Sequence, residues 1–185
     1  MLVGLQIKVL FQKIEDNWYN PRFWNKYSDS DKFKMVQRAQ FKDVESIFEG
    51  RLRGNQAMLS GLGLTVEEAR LLWQTARLKE VSWLDLVDNQ LGDAGLGELA
   101  ECELLENVQY LNLNKNGITD AGLQKLAESK CLPKLKRLHL KGNPIDGPGV
   151  IALFESQTLD GLTTFQVNEG WTCKKREGWR YNPQL

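Results

Sequence analysis

Leucines at alternate positions mark three short stretches of this chain, each followed by a polar turn and a segment whose apolar residues lie three apart. Trp83-Leu84-Asp85-Leu86-Val87-Asp88-Asn89-Gln90-Leu91 recurs as Tyr110-Leu111-Asn112-Leu113-Asn114-Lys115-Asn116-Gly117-Ile118 and again as Arg137-Leu138-His139-Leu140-Lys141-Gly142-Asn143-Pro144-Ile145. Side chains two apart share one face of a strand, so the pairs Leu84/Leu86, Leu111/Leu113 and Leu138/Leu140 are predicted to point into a common core. Leu96/Leu99 and Leu123/Leu126 have the spacing of one helix face and predict a helix after each strand. Asp93, Asp120 and, in the third copy, Asp146 stand where an acceptor side chain would cap that helix.

The copies keep one register. Asn89, Asn116 and Asn143 are spaced by 27 residues, and a fixed period of this size signals a stacked repeat. Asparagine at the end of each strand can satisfy backbone groups that the turn leaves without partners, so these three are predicted to form a structural ladder. Asp93-Ala94-Gly95-Leu96 is echoed by Asp120-Ala121-Gly122-Leu123, and the third copy, Asp146-Gly147-Pro148-Gly149-Val150, departs from it. From Trp83 to about Asn168 the pattern resembles the ribonuclease-inhibitor-like class of leucine-rich repeat proteins. That resemblance implies an α/β fold: a short curved solenoid with parallel strands on its concave side, helices on its convex side and right-handed crossovers between them.

Carried forward, the register places Phe165 and Val167 at the strand leucines and Gly170 at the asparagine, which predicts a final strand whose unit is not completed. Carried backward, it places Leu64 and Leu72 on Leu91 and Leu99, and Thr65-Val66-Glu67-Glu68 reads as a capped helix start. The expected organisation is therefore a helical and aromatic N-terminal cap over 1–58, repeats over 59–168 (a half-repeat, three full repeats and a final strand), and a capping tail over 169–185. Caps are expected because a solenoid end leaves an apolar edge in water. Phe33, Met35, Val36, Phe41, Val44 and Phe48 predict an amphipathic helix from Ser30 to Phe48, with Ser30 or Asp31 as its N-cap. The aromatic run Asn17 to Tyr27, interrupted by Pro21, is read as packing under this cap, with a share in a binding surface as the alternative. Trp171, Trp179 and Tyr181 are read likewise as a lid on the last repeat.

Charge narrows the function classes. Lysine plus arginine and aspartate plus glutamate each total 24, so no global field would steer the chain onto nucleic acid or an anionic membrane. Lys174-Lys175-Arg176 with Arg180 is a small basic cluster, diluted by Glu169 and Glu177 and read as solvated surface. No apolar run approaches the roughly 20 residues that span a bilayer, and Met1 to Phe11 lacks the frame of a signal peptide. Cys102, Cys131 and Cys173 match no zinc or redox spacing and fit reduced thiols in a cytoplasmic protein. Neither a phosphate-binding glycine loop nor a nucleophile with a base is present, Gly61-Leu62-Gly63 reads as a turn, and no enzyme, cofactor or metal site is expected.

Residues alternating with the buried leucines should face the concave surface in columns. One is Trp83, Tyr110, Arg137 and Thr164; the next is Asp85, Asn112, His139 and Gln166; the third is Val87, Asn114, Lys141 and Asn168. Trp, Tyr and Arg are the residue types that most often anchor protein interfaces. The expected function is binding of a partner protein through Trp83, Asp85, Tyr110, Asn112, Arg137, His139 and Lys141, with Trp83 and Tyr110 simply packing under the cap as the plainer reading. His139 has no second histidine to build a metal site and is read as a contact residue. The resemblance extends to the Ran GTPase-activating protein, which allows a GTPase regulator acting through Arg137, and a bacterial effector or immunity factor that binds a host or toxin protein is a further alternative. A monomer is expected, since both flanks read as caps.

Overall fold

The structure, a computed structural model, describes residues 44–167, the strands Trp171–Lys174 and Gly178–Tyr181, and single positions between 21 and 35. In chain order the elements are helix α1 (Val44–Arg51), strands β1 (Leu52–Arg53) and β2 (Gln56–Met58), α2 (Val66–Leu72), β3 (Trp83–Asp85), α3 (Gly92–Ala100), β4 (Tyr110–Asn112), α4 (Asp120–Ala127), β5 (Arg137–His139), α5 (Pro148–Glu155), β6 (Thr164–Gln166), β7 (Trp171–Lys174) and β8 (Gly178–Tyr181). Short 3₁₀ turns at Ala76–Glu80 and Glu103–Leu105 lead back to β3 and β4.

All eight strands form one sheet in the order of the chain. From β2 to β6 the pairing is parallel with a constant 27-residue offset, so Gln56, Trp83, Tyr110, Arg137 and Thr164 stand side by side. From α2 on, each helix follows its strand and packs on the helix of the next unit, which places these helices in a second layer behind the sheet. Between the layers the strand leucines Leu84, Leu86, Leu111, Leu113, Leu138 and Leu140 and the helix leucines Leu96, Leu99, Leu123 and Leu126 are fully buried. This is the α/β solenoid expected from the periodicity, with β6 as its last parallel strand and Phe165 and Val167 buried in the leucine positions.

The parallel stack starts earlier than the expected half-repeat at Leu59. β2, within the 1–58 segment assigned to the cap, pairs in register with β3, with Ala57 opposite Leu84. Alanine in the inward position and Met58 at the place of Asp85 left the strand without a recognisable leucine signature. Leu62 at the ladder position removed the asparagine as well. β1 then pairs antiparallel with β2, and α1 seats Ile47 and Phe48, both fully buried, in the same core. Of the helix expected over 30–48, residues 30, 33, 34 and 36–43 lie outside the described residues. Asp29, Asp31, Lys32 and Met35 are helical. Ser28 Oγ accepts the Asp31 N–H at 3.1 Å there, and Ser30, one of the two expected N-caps, lies outside the described residues. The aromatic side chains of the runs 17–27 and 171–181 also lie outside the described residues.

Thr65 caps α2 as its sequence suggests: its Oγ1 accepts the Glu68 N–H at 3.4 Å while Glu68 accepts the Thr65 N–H at 2.9 Å. The repeated aspartates behave otherwise. Asp93 lies inside the first turn of α3 and accepts the N–H and hydroxyl of Thr119 in the next unit, at 2.7 and 2.6 Å. Thr119 in turn caps α4 through Ala121 N–H. Asp120 accepts the N–H groups of Asp146, Gly147 and Gly149 at the start of α5, and Asp146 is not itself a cap. Each aspartate thus acts on the start of the helix one unit on, Asp120 capping it directly and Asp93 holding the capping threonine. The approach this requires is close: a Cβ at Gly149 would lie 2.7 Å from Leu123 Cβ and 2.8 Å from the Asp120 backbone, which accounts for the repeated glycine.

The asparagines bridge units too. Asn143 Oδ1 accepts the N–H groups of Asn116 and Ile118, and its amide donates to the carbonyls of Leu113 and Leu140. Asn89 accepts the Leu64 N–H and donates to Leu59 and Leu86. Asn116 donates to Leu86 and Asn114, but its Oδ1 is buried without a hydrogen-bond partner. A buried polar group stripped of its partner costs about 1–3 kcal/mol. Asn143→Ala is therefore expected to lower the unfolding free energy by about 3 kcal/mol in urea titration, and Asn116→Ala by distinctly less. Equal losses would contradict this reading of the ladder.

Candidate protein-binding face

On the sheet face turned away from the helices, the in-register strands bring the expected residues together. Trp83 on β3 and Tyr110 on β4 are direct neighbours across the ladder, and their rings stack with centroids 3.6 Å apart at 18°. Arg137 on β5 leans back over the pair, its guanidinium carbon 5.4 Å from the Tyr110 ring centroid and 5.9 Å from that of Trp83. His139 closes the cluster diagonally, 5.0 Å from the Tyr110 ring at 52°. Rings in such stacked or tilted contact, and a cation over ring faces, attract beyond the area they bury. The result is that Tyr110 retains only 9% of its exposure, while Trp83 stays half-buried and Arg137 exposed.

Asp85, Asn112 and His139 form the second column, all half-buried. Asp85 and Asn112 each fold a side-chain oxygen back onto the N–H two residues on, of Val87 at 3.2 Å and Asn114 at 3.3 Å. In the third column, Asn114 Oδ1 accepts the Lys141 N–H at 2.6 Å, and Lys141 is half-buried. Asn168, the last member of that column, lies outside the described residues. The strand missed by the periodicity adds Gln56 and Met58 to the first two columns. Only the pairing register reveals them.

Crowding on this face shifts its titrations without any bound partner. Burial pushes the Asp85 carboxyl up, opposed by the bond from Val87. Burial also raises the Tyr110 phenol, and the Asp85 charge adds to that while Arg137 and Asn112 oppose it. His139 is held below its ordinary 6.5 by burial first and by the Arg137 charge second. The face thus favours the neutral form of the His139 imidazole and sets the partly desolvated Asp85 carboxyl on the same face as the Arg137 guanidinium. Nothing in this set can act as nucleophile, base and oxyanion donor together, and among the described residues no three His, Cys, Asp or Glu side chains group to hold a metal.

The helix side offers different ground. A groove of 690 Å³ between α3 and α4 is lined by Glu98, Glu101, Lys125, Glu128 and Lys130. It is an open gap between neighbouring helices with mixed charge at its rim. Behind it runs a second set of inter-unit bonds that the strand motif did not foretell. Cys102, Ser129 and Ser156, at 27-residue spacing, donate to the carbonyls of Trp73, Ala100 and Ala127 at the end of the preceding unit's helix. Cys102 and Cys131 are free thiols.

Segments 84–100, 105–127 and 131–154 match the family model described as Leucine Rich repeat. These segments are leucine-rich repeats. The matches begin at the second parallel strand and end with α5, so the Ala57 strand falls outside them. No curated protein matches the chain. Leucine-rich repeats generally mediate protein–protein interaction and are typically not enzymes. Among the described residues no helix is long and apolar enough to cross a membrane.

Since the chain has a single histidine, its imidazole resonance is an unambiguous probe of the face. Followed by NMR, it is expected to titrate below 6.5, and Arg137→Ala should raise the midpoint only in part, because burial is the larger cause. The sign for stability follows: the folded state binds fewer protons than the unfolded chain, so this contribution is lost as pH falls through 6.5 toward the folded-state value. A midpoint at or above 6.5 would contradict the packing described.

Proposed function

We propose that this chain works as an interaction module that binds another protein on the concave sheet face of its leucine-rich repeats. The observation that carries this reading is the Trp83–Tyr110 stack with Arg137 laid over it. These are the residue types that dominate binding energy when truncated, and here they sit at the middle of the parallel sheet, already in mutual contact. A partner meeting a preassembled cluster loses less side-chain entropy on binding than one that must order it. Asp85, Asn112, His139 and Lys141 surround the stack with polar groups and would fix orientation. The helix-containing unit and its 27-residue period support the ribonuclease-inhibitor-like class. The reading includes a monomer inside the cell, with the part of 1–58 that precedes β2, and 169–185, closing the two ends of the repeats and no catalytic step.

The test is capture of partners from source-cell lysate with the wild type and with the Trp83→Ala, Tyr110→Ala, Arg137→Ala triple variant, both shown to be folded by circular dichroism. A specific partner held by the wild type should be lost, since each anchor residue contributes about 2 kcal/mol or more. Equal retention by the two proteins would move recognition away from this face.

A further inference from the structure

We propose that the partner presents an aspartate or glutamate side chain to Arg137, so that an acidic contact sets its orientation on the sheet; this rests on the sheet-face reading above. Arg137 is exposed, yet its guanidinium is placed, since the stacked rings of Tyr110 and Trp83 lie 5.4 and 5.9 Å away. Over a ring platform the planar group keeps its N–H donors directed around its rim, where they remain open to a second partner.

Within the described residues nothing takes up those donors. The ion pairs there join Lys32 to Asp29, Arg70 to Glu98 and Arg77 to Glu49, and Arg137 is in none of them. Asp85 is the carboxylate on the same face, and it is engaged elsewhere, accepting the Val87 N–H at 3.2 Å. Its titration agrees, being displaced by burial and the Val87 bond with no arginine among the causes. The cluster therefore holds an oriented cation whose counter-charge is not supplied by its neighbours in the sheet.

The shape of the donor set selects the complement. Two guanidinium N–H groups match the two oxygens of a carboxylate, and the fork geometry makes such contacts short and directional. His139, beside the same ring, is held toward its neutral form. Asp85 lies across the face in the second column and Lys141 in the third, so the charge around Arg137 is mixed and the donor geometry makes the selection. The planar carboxylate of an aspartate or glutamate is the group that this fork favours.

A random-peptide library displayed on phage, panned against the full chain, supplies the probes. Peptides are retained for study when their binding is lost with Trp83→Ala, which assigns them to the sheet face. These are expected to share an acidic position. Exchanging that residue for lysine, or Arg137 for glutamate, should each weaken binding by about tenfold or more, and the two exchanges together should restore it. Arg137→Lys, which keeps the charge and loses the fork, should give an intermediate loss. Face-bound peptides that ignore both the acidic exchange and Arg137→Gln overturn the acidic contact and leave the sheet-face reading standing. A pan that enriches no peptide dependent on Trp83 or Tyr110 overturns both.

Discussion

Among the described residues each unit depends on a neighbour for part of its buried polar satisfaction, and that constraint shapes the rest of the structure. The tight turn after each strand leaves N–H and C=O groups inside the core, where water cannot reach them. Asn143 supplies the N–H groups of Asn116 and Ile118 with an acceptor from one unit further on. At the front of the helices Asp120 does the same for Gly147 and Gly149, and at the back Ser129 takes the last carbonyl of α3. Each bond is worth only about 1 kcal/mol when made, and its absence costs more. Stability is therefore a property of neighbouring pairs, and a unit shorn of its neighbour loses core burial and polar satisfaction together.

The same dependence makes the ends special. At the N-terminal side the sheet turns back on itself through the antiparallel β1–β2 pair, and at the C-terminal side through β6, β7 and β8. Both turns occupy the outer hydrogen-bonding edge of a parallel run that would otherwise stand open to pairing with another chain. The helix layer ends differently. Trp73, Ala100 and Ala127 hold equivalent places, and each is 6% exposed because the next helix lies over it. Phe154 holds that place in α5, which no described helix follows, and is 42% exposed, with Ile151 beside it at 58%.

How far the fold could be read from the residues follows from what kind of interaction each feature obeys. Leucines two apart and asparagines 27 apart report burial and backbone satisfaction that recur at the same place in each unit, so the strands, the core faces and the stacking direction were legible. β2 was hidden because a strand needs its neighbour's register more than it needs leucine, and Ala57 meets Leu84 well enough. The aspartates were placed correctly along the chain and given the wrong partner. Spacing within a unit cannot distinguish a cap on its own helix from one on the next, since both lie at the same helical end of adjacent turns. The serine and cysteine bonds to the preceding helix were likewise invisible, because Cys102, Ser129 and Ser156 look unrelated until a common acceptor column aligns them.

The candidate face inherits its geometry from that alignment. A parallel ladder without slippage sets residues of one column side by side at the spacing of adjacent strands, so an aromatic in two successive units must either stack or splay. Trp83 and Tyr110 stack, because the in-register backbone already fixes both Cα positions and the rings gain contact at no further cost in chain order. Arg137, next in the column, then finds ring faces within reach of its guanidinium, and His139 packs against the same ring, its proton affinity lowered by burial first and by the Arg137 charge second. Thus the cluster is not an arrangement added to the repeat. It is what three large side chains are obliged to form when a 27-residue period puts them in one column, which is why substitution at any one of them should disturb the placement of the other two.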